Sequence, residues 1–184
     1  FFGYGQAYHE ALRAYLSVTG DVPLLPRWAL GNWWSRYWEY SDGDLRALMT
    51  DFREHDVPLG VCIVDMDWHL VDVGEGINGW TGYTWNPDLF PDPAGFIRRL
   101  HDQGLRTALN LHPALGVRPH EAQYTAMAER LGLDPGSDQP IPFDIANREF
   151  TDAYFEVLHH PYEADGVDFW WMDWQQGTRS AVFG

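Results

Sequence analysis

Four short apolar runs, each ending in a polar cluster and separated by stretches with helical spacing, limit what this chain can fold into. The runs are Trp28 to Trp34, Leu59 to Val64, Leu105 to Leu111, and the stretch from Gly166 through Trp170-Trp171-Met172 to Asp173. Each has strand length, and the last is almost unbroken, the pattern of a strand buried on both faces. Between them, Ser41 caps a helix with Asp42 and Asp44 in its first turn and Leu45, Leu48, Met49 and Phe52 on one face. Asp92 caps another, carrying Phe96, Ile97 and Leu100 and ended by Gly104. A helix from about Pro119 to Leu131 follows the third strand. Asn147 then caps the last helix, with Phe150, Tyr154, Phe155 and Leu158 on its buried side. The order β-α-β-α-β-α-β predicts a parallel sheet with right-handed crossovers.

Four such units are half of a (β/α)8 TIM barrel, which needs about 250 residues. An open doubly wound sheet is the alternative. Neither G-x-G-x-x-G nor G-x-x-x-x-G-K follows the first strand, so the usual phosphate-binding reason for that fold is missing. Upstream, Ala7, Tyr8, Ala11, Leu12, Tyr15 and Leu16 predict a helix over residues 6–19, closed by Gly20; Pro23 and Pro26 bracket an extended connector. The expected division is therefore 1–26, an entry helix and connector, and 27–184, the first half of the barrel. A Pro/Gly/Asp loop from Asp134 to Pro142 leads to a short extra strand expected at Phe143-Asp144-Ile145. With no initiator Met and no signal-peptide pattern, the chain reads as a piece of something longer.

Charge and composition narrow the partners. Twelve basic against 27 acidic residues give −15, which argues against nucleic acid or an anionic membrane surface. No apolar stretch approaches the roughly 20 residues of a membrane span. The one cysteine, Cys62, lies in an apolar run and reads as a buried structural thiol; it leans towards a reducing, cytoplasmic compartment or is neutral on the point. Aromatic residues make up 16%, with ten Trp, and some of these belong to the core. Large rigid rings with a polar handle suit a site that stacks sugars.

In a parallel barrel the chemistry sits where strands end. All four ends here are polar: Ser35/Arg36, Asp65/Asp67, Asn110/His112 and Asp173. A single Asp after a strand usually serves a turn or a helix cap. Four ends converging, two with carboxylates beside Trp, favour a functional reading. Asp173, walled by Trp170, Trp171 and Trp174, is costly to keep there without a partner or a task. Paired carboxylates among aromatic rings suit glycoside hydrolysis, one attacking the anomeric carbon and one protonating the leaving oxygen. The residues do not say which carboxylate is the acid. His159-His160 beside Pro161 reads as a helix end making dipole contacts. His112 and His120 lack a partner at ligand spacing, and neither H-E-x-x-H nor G-x-S-x-G occurs, so no metal, cofactor or serine elbow is expected. The long loop after the second strand, with Gly74, Gly76, Gly79, Gly82, Trp80, Tyr83 and Trp85, has the length of a functional loop.

At Gly166 to Gln176 the chain resembles glycoside hydrolase family 31, the retaining α-glycosidases that include α-glucosidases and α-xylosidases. The resemblance extends over essentially the whole chain: Leu24 to Gly31 at the barrel entry, Val64-Asp65-Met66-Asp67-Trp68 at the second strand, and Tyr83-Thr84-Trp85-Asn86 through Phe90-Pro91-Asp92-Pro93. It implies an oligosaccharide or α-glycoside substrate, Asp173 as nucleophile and Asp65 as the acid that holds hydroxyls of the bound sugar. It places Tyr37 or Trp38, Trp85 and Trp171 at or near aromatic positions of the subsite, and Asn110 and His112 at a strand end that supplies pocket residues. Two departures touch the pocket. Trp174-Gln175-Gln176 follows the nucleophile where many members have hydrophobic-Asn-Glu, and Asn110-Leu111-His112-Pro113 stands where many have Trp-x-Asn-Pro. The family's acid/base lies beyond Gly184, so the piece alone is expected to be inactive, with open edges at its first and fourth strands. A binding or scaffold homologue without catalysis and an α-transglycosylase are the alternatives.

Overall fold

The computed structural model describes residues 1–74 and 79–173. They fall into two compact units, Phe1–Leu30 and the remainder from Gly31. In the first, helix α1 (Tyr8–Thr19) ends at Gly20, whose φ of 83° is open to glycine at little cost. It buries none of its residues, and Tyr15 meets Phe2 edge-on at 5.9 Å.

The second unit carries a four-stranded, wholly parallel sheet, ordered β1 (Trp33–Trp34), β2 (Val61–Val64), β3 (Arg106–Leu111) and β4 (Phe169–Met172). That is the partial β/α barrel expected. The crossovers are α2 (Asp42–Glu54), α3 (Pro93–Asp102), and α4 (Tyr124–Arg130) with α5 (Arg148–Tyr154) and α6 (His160–Ala164). The capping residues act as their types dictate. Ser41 and Asp44 form a reciprocal capping box, Asp92 accepts from the Gly95 amide, and Asn147 accepts from Glu149 and Phe150. Asp42 pairs with Arg46 in the same helix and reaches Arg99 of α3 at 3.0 Å, tying the first two crossovers together.

Strand alternation sorts the side chains into two faces. Cys62, Val64, Leu109 and Leu111 pack into the helix-facing core with Leu45, Met49, Phe96, Leu100 and Leu158, and Trp34 and Trp170 lean on it. The registers Ile63↔Ala108↔Phe169 and Asn110↔Trp171 define the opposite, concave face. There Trp33 of β1 and Phe169 of β4 meet with ring centroids 5.2 Å apart. Residues from the two outermost strands touch because the sheet curls, as a closing barrel requires. Gly166 opens the final strand at φ 115°, where a Cβ would meet Ile97 Cγ2 at 2.8 Å. Asp168 then fastens β4 to β3, accepting from the Thr107 amide, His101 and Arg106 at 2.8–2.9 Å.

Several expectations need correction. The first strand is two residues, not seven, because Arg27–Leu30 winds into a 3-10 turn. The sequence 143–145 forms no strand; the short pairing in that loop is Val117 with Ile141. The helix expected from Pro119 starts only at Tyr124. Phe155 is exposed rather than buried. His159-His160 is not a helix end: Phe155–His159 forms a π-helical turn joining α5 to α6. Pro161 would crowd the carbonyl four residues back in a regular helix, and the wider turn relieves that clash. Finally, β4 is not sheathed on both faces, since Trp171 and Met172 are exposed at the sheet edge.

Candidate active site

Continuing each strand by its period of two carries the concave face past the strand ends. The row 61, 63 reaches Asp65; 108, 110 reaches His112; 169, 171 reaches Asp173. Three chemically capable side chains therefore leave adjacent parallel strands on one face at their C-terminal ends. The Asp173 amide donates to the Leu111 carbonyl at 2.9 Å, so pairing persists to the site itself. His112 Nε2 lies 3.4 Å from Asp173 Oδ2. Asp65 starts a 3-10 turn (Met66–Trp68), its Oδ1 accepting from the Met66 amide at 2.8 Å.

Burial raises the pKa of Asp65; the Met66 amide and His112 oppose the rise, and Asp173 adds to it. Asp67 is also raised, first by burial and then by Glu39 and Asp65. The site is thus crowded with negative charge in a place that disfavours it, and imidazole is the counterweight. Asn110 is fully buried with no partner for its Oδ1 or Nδ2 among the described residues, while its carbonyl accepts from the Trp68 indole at 2.7 Å.

The aromatic residues separate. Tyr37 is exposed and lies nearly parallel to Trp80, 6.4 Å between centroids, and Trp80 meets His112 edge-on at 5.1 Å. Trp171 shares the concave row with Asp173. Trp38 is exposed, with the Arg36 guanidinium 4.5 Å over its ring. Among the described residues, Trp85 meets the rings of Trp68, Phe90 and Tyr162, at 5.0, 5.4 and 6.3 Å. Trp174 and the Gln175-Gln176 pair lie outside the described residues.

Trp80 was not singled out as a site residue on sequence grounds. Its loop is held by contacts far apart in the chain. The Thr81 hydroxyl donates to the His112 carbonyl and accepts from the Leu115 amide, and buried Glu121 accepts from the Tyr83 amide and the Thr84 hydroxyl. Gly82 packs closely against the His69 ring, where a Cβ would collide. Among the described residues no His/Cys/Asp/Glu cluster could hold a metal ion. A cavity of about 310 Å³ near the other end of the strands, lined by Met49, Phe52, Leu59 and Leu105 among others, contains none of these side chains.

The model of the glycosyl hydrolases family 31 TIM-barrel domain matches residues 22–182. An α-xylosidase of Saccharolobus solfataricus is 27% identical over 170 residues, covering 92% of this chain and 22% of its own length. The α-xylosidase XylQ of Lactiplantibacillus pentosus is 30% identical over 117 residues, covering 62% of this chain and 15% of its own. Among solved structures, a family 31 α-xylosidase from Xanthomonas citri superposes with a TM-score of 0.73 at 20% identity, over 97% of this chain and 22% of that one. A Flavobacterium johnsoniae family 31 dextranase does so at 0.70 and 22% identity, over 97% and 23%. The chain thus spans between a seventh and a quarter of the length of these relatives. On the match to most of its length, the chain belongs to glycosyl hydrolase family 31, and what it carries is part of that family's TIM-barrel domain.

Proposed function

We propose that this chain supplies the nucleophile side of an enzyme that hydrolyses terminal α-glycosides by double displacement. The observation that carries the reading is the convergence of Asp65, His112 and Asp173 at the ends of three adjacent parallel strands, on one face. Asp173 is the nucleophile: its carboxylate attacks the anomeric carbon as the glycosidic C–O bond breaks, and the departing oxygen takes a proton from an acid. Water then cleaves the glycosyl ester. Asp65, at the end of the second strand, offers its carboxylate to sugar hydroxyls, which donate to it. Asn110 and His112 offer polar contacts, and Tyr37, Trp38, Trp85 and Trp171 are the ring surfaces assigned to the sugar. The proton donor is assigned to no residue of this chain.

α-Xylosidases and α-glucosidases among the relatives make pentosides and hexosides the first substrates to try. The test uses the complete parent enzyme and aryl α-glucoside, α-xyloside, α-galactoside and α-N-acetylgalactosaminide. Asp173→Ala should lower turnover by about 10⁴-fold or more with the melting temperature retained. A mechanism-based fluoroglycoside should esterify Asp173, as peptide mapping would show. Turnover surviving in the variant, or a label on another carboxylate, would overturn the assignment.

A further inference from the structure

We propose that Trp80 is a specificity-determining residue: with Tyr37 it forms the wall that meets the non-reducing end of the bound sugar and keeps out glycosides extended there. This rests on the reading of Asp173 as nucleophile and of Asp65 as the carboxylate that binds sugar hydroxyls.

The order of the sheet sets the direction in which the sugar lies. Strands β1 to β4 neighbour one another in chain order, so Tyr37, Asp65, His112 and Asp173 follow one another at the ends of successive strands. A sugar whose anomeric carbon meets Asp173 and whose hydroxyls reach Asp65 crosses β3 and spans two strand intervals of about 4.8 Å each. Its far end, at C4 across the ring from C1, then faces the end of β1. Trp80 stands on that side. Its ring lies 22° from parallel to Tyr37, with 6.4 Å between centroids, and meets His112 edge-on at 5.1 Å. It thus bridges the ends of β1 and β3 across the strand that delivers Asp65. The spacing to Tyr37 is that of two rings packed on each other, with no room for a sugar between them. The pair is a wall rather than a clamp.

A wall must also hold its place. At the root of the loop, His69 and Trp85 form an antiparallel bridge; the Leu70 amide donates to the Thr84 carbonyl at 3.0 Å and the Asn86 amide to the Trp68 carbonyl at 2.8 Å. Next to Trp80 itself, the Thr81 hydroxyl donates to the His112 carbonyl and accepts from the Leu115 amide at 3.2 Å. Buried Glu121 accepts from the Tyr83 amide at 3.1 Å and from the Thr84 hydroxyl, which in turn accepts from the Ala122 amide at 2.8 Å. Trp80 cannot back away from an incoming group without breaking these bonds. A glycoside with a free 4-hydroxyl stops short of the rings, whereas one substituted on that oxygen must displace an indole.

The experiment measures kcat/KM of the full-length parent enzyme, Trp80→Ala and Trp80→Leu on an aryl α-glycoside with and without a methyl group on O4. The sugar is the one the parent turns over best, and peptide mapping of the fluoroglycoside label is run in parallel. The parent should discriminate against the methylated substrate. Both variants should raise the ratio of methylated to unmethylated kcat/KM about tenfold or more, the discrimination that a few atoms in a closed pocket supply. Loss of fold lowers both rates together and leaves the ratio alone, so a purely structural role does not mimic this result, and either folded variant suffices. If the label maps to Asp173 and the ratio does not rise in a folded variant, Trp80 is not the wall. A parent that accepts both substrates equally overturns the proposal as well. A ratio that stays put while disaccharides lose more than aryl glycosides would move Trp80 to the leaving-group side. A label on another carboxylate removes the nucleophile assignment, and with it the direction from which the wall is placed.

Discussion

A buried amide with neither its oxygen nor its nitrogen satisfied among the described residues, as at Asn110, costs about 1–3 kcal/mol for each group left unpaired. Folded proteins keep few such groups, and those they keep call for a reason. Here the reason is position: Asn110 stands on the concave row two residues before His112 and pairs in register with Trp171. Asn110→Leu, close in volume, should raise the melting temperature by a few degrees, worth about 1–2 kcal/mol, and lower kcat/KM about tenfold by removing a hydroxyl contact. Thermal unfolding and steady-state kinetics on the same preparation check both signs; greater stability with unchanged kcat/KM would take Asn110 out of the sugar site. The carboxylates were legible in the sequence because Asp65 and Asp173 each close an apolar run. Trp80 was not, because its place depends on Thr81 and Glu121 gripping loop and strand across more than thirty residues. Spacing along the chain carries no trace of such contacts.

At the level of elements, the helices announced themselves through caps. Ser41, Asp92 and Asn147 sit where orphan amides need acceptors, and the structure uses all three. The π-helical turn is another matter. Its cause, Pro161, was visible, but a proline predicts a helix end as readily as a bulge. The consequence falls on His159, whose buried ring lies 4.7 Å from Tyr154 and 4.4 Å from Trp170. Burial pushes its pKa down to about 4 from the ordinary 6.5; Glu163 opposes this and His160 reinforces it. Between those values the unfolded chain binds the proton and the folded one does not. Stability that is fully present above pH 6.5 is therefore lost as pH falls towards 4. At pH 5 the loss from this one group is about 2 kcal/mol. His159→Leu should narrow the difference in unfolding free energy between pH 8 and pH 5 by about that amount. His69, shifted the same way, keeps the rest of the acid sensitivity. Denaturant melts at the two pH values decide it, and an unchanged gap would mean His159 is protonated in the fold.

For the molecule as a whole, the curled parallel sheet of four strands has, among the described residues, two open edges, β1 and β4. They are not equal hazards. A two-residue strand such as β1 offers little backbone to pair, whereas β4 is four residues long and exposes Trp171 and Met172. In the relatives, which are several times longer, the same region sits within a much larger chain. Expressed by itself, the 184-residue chain should associate through β4. Its net charge of −15 opposes that encounter at long range, and salt screens the repulsion within about 8 Å at physiological ionic strength. Association should therefore strengthen with added salt, the reverse of what pairing between opposite charges would show. Met172→Lys places a charge on the exposed edge without touching the concave row of Asp173, and should weaken the association constant about tenfold or more, since a buried ammonium is costly. Sedimentation velocity at 20 mM and 500 mM salt measures both effects. A monomer at every concentration and salt tested would mean that β4 is not an open pairing edge. Association equal in the two proteins would move the contact to the exposed aromatic surface of Trp33 and Tyr37.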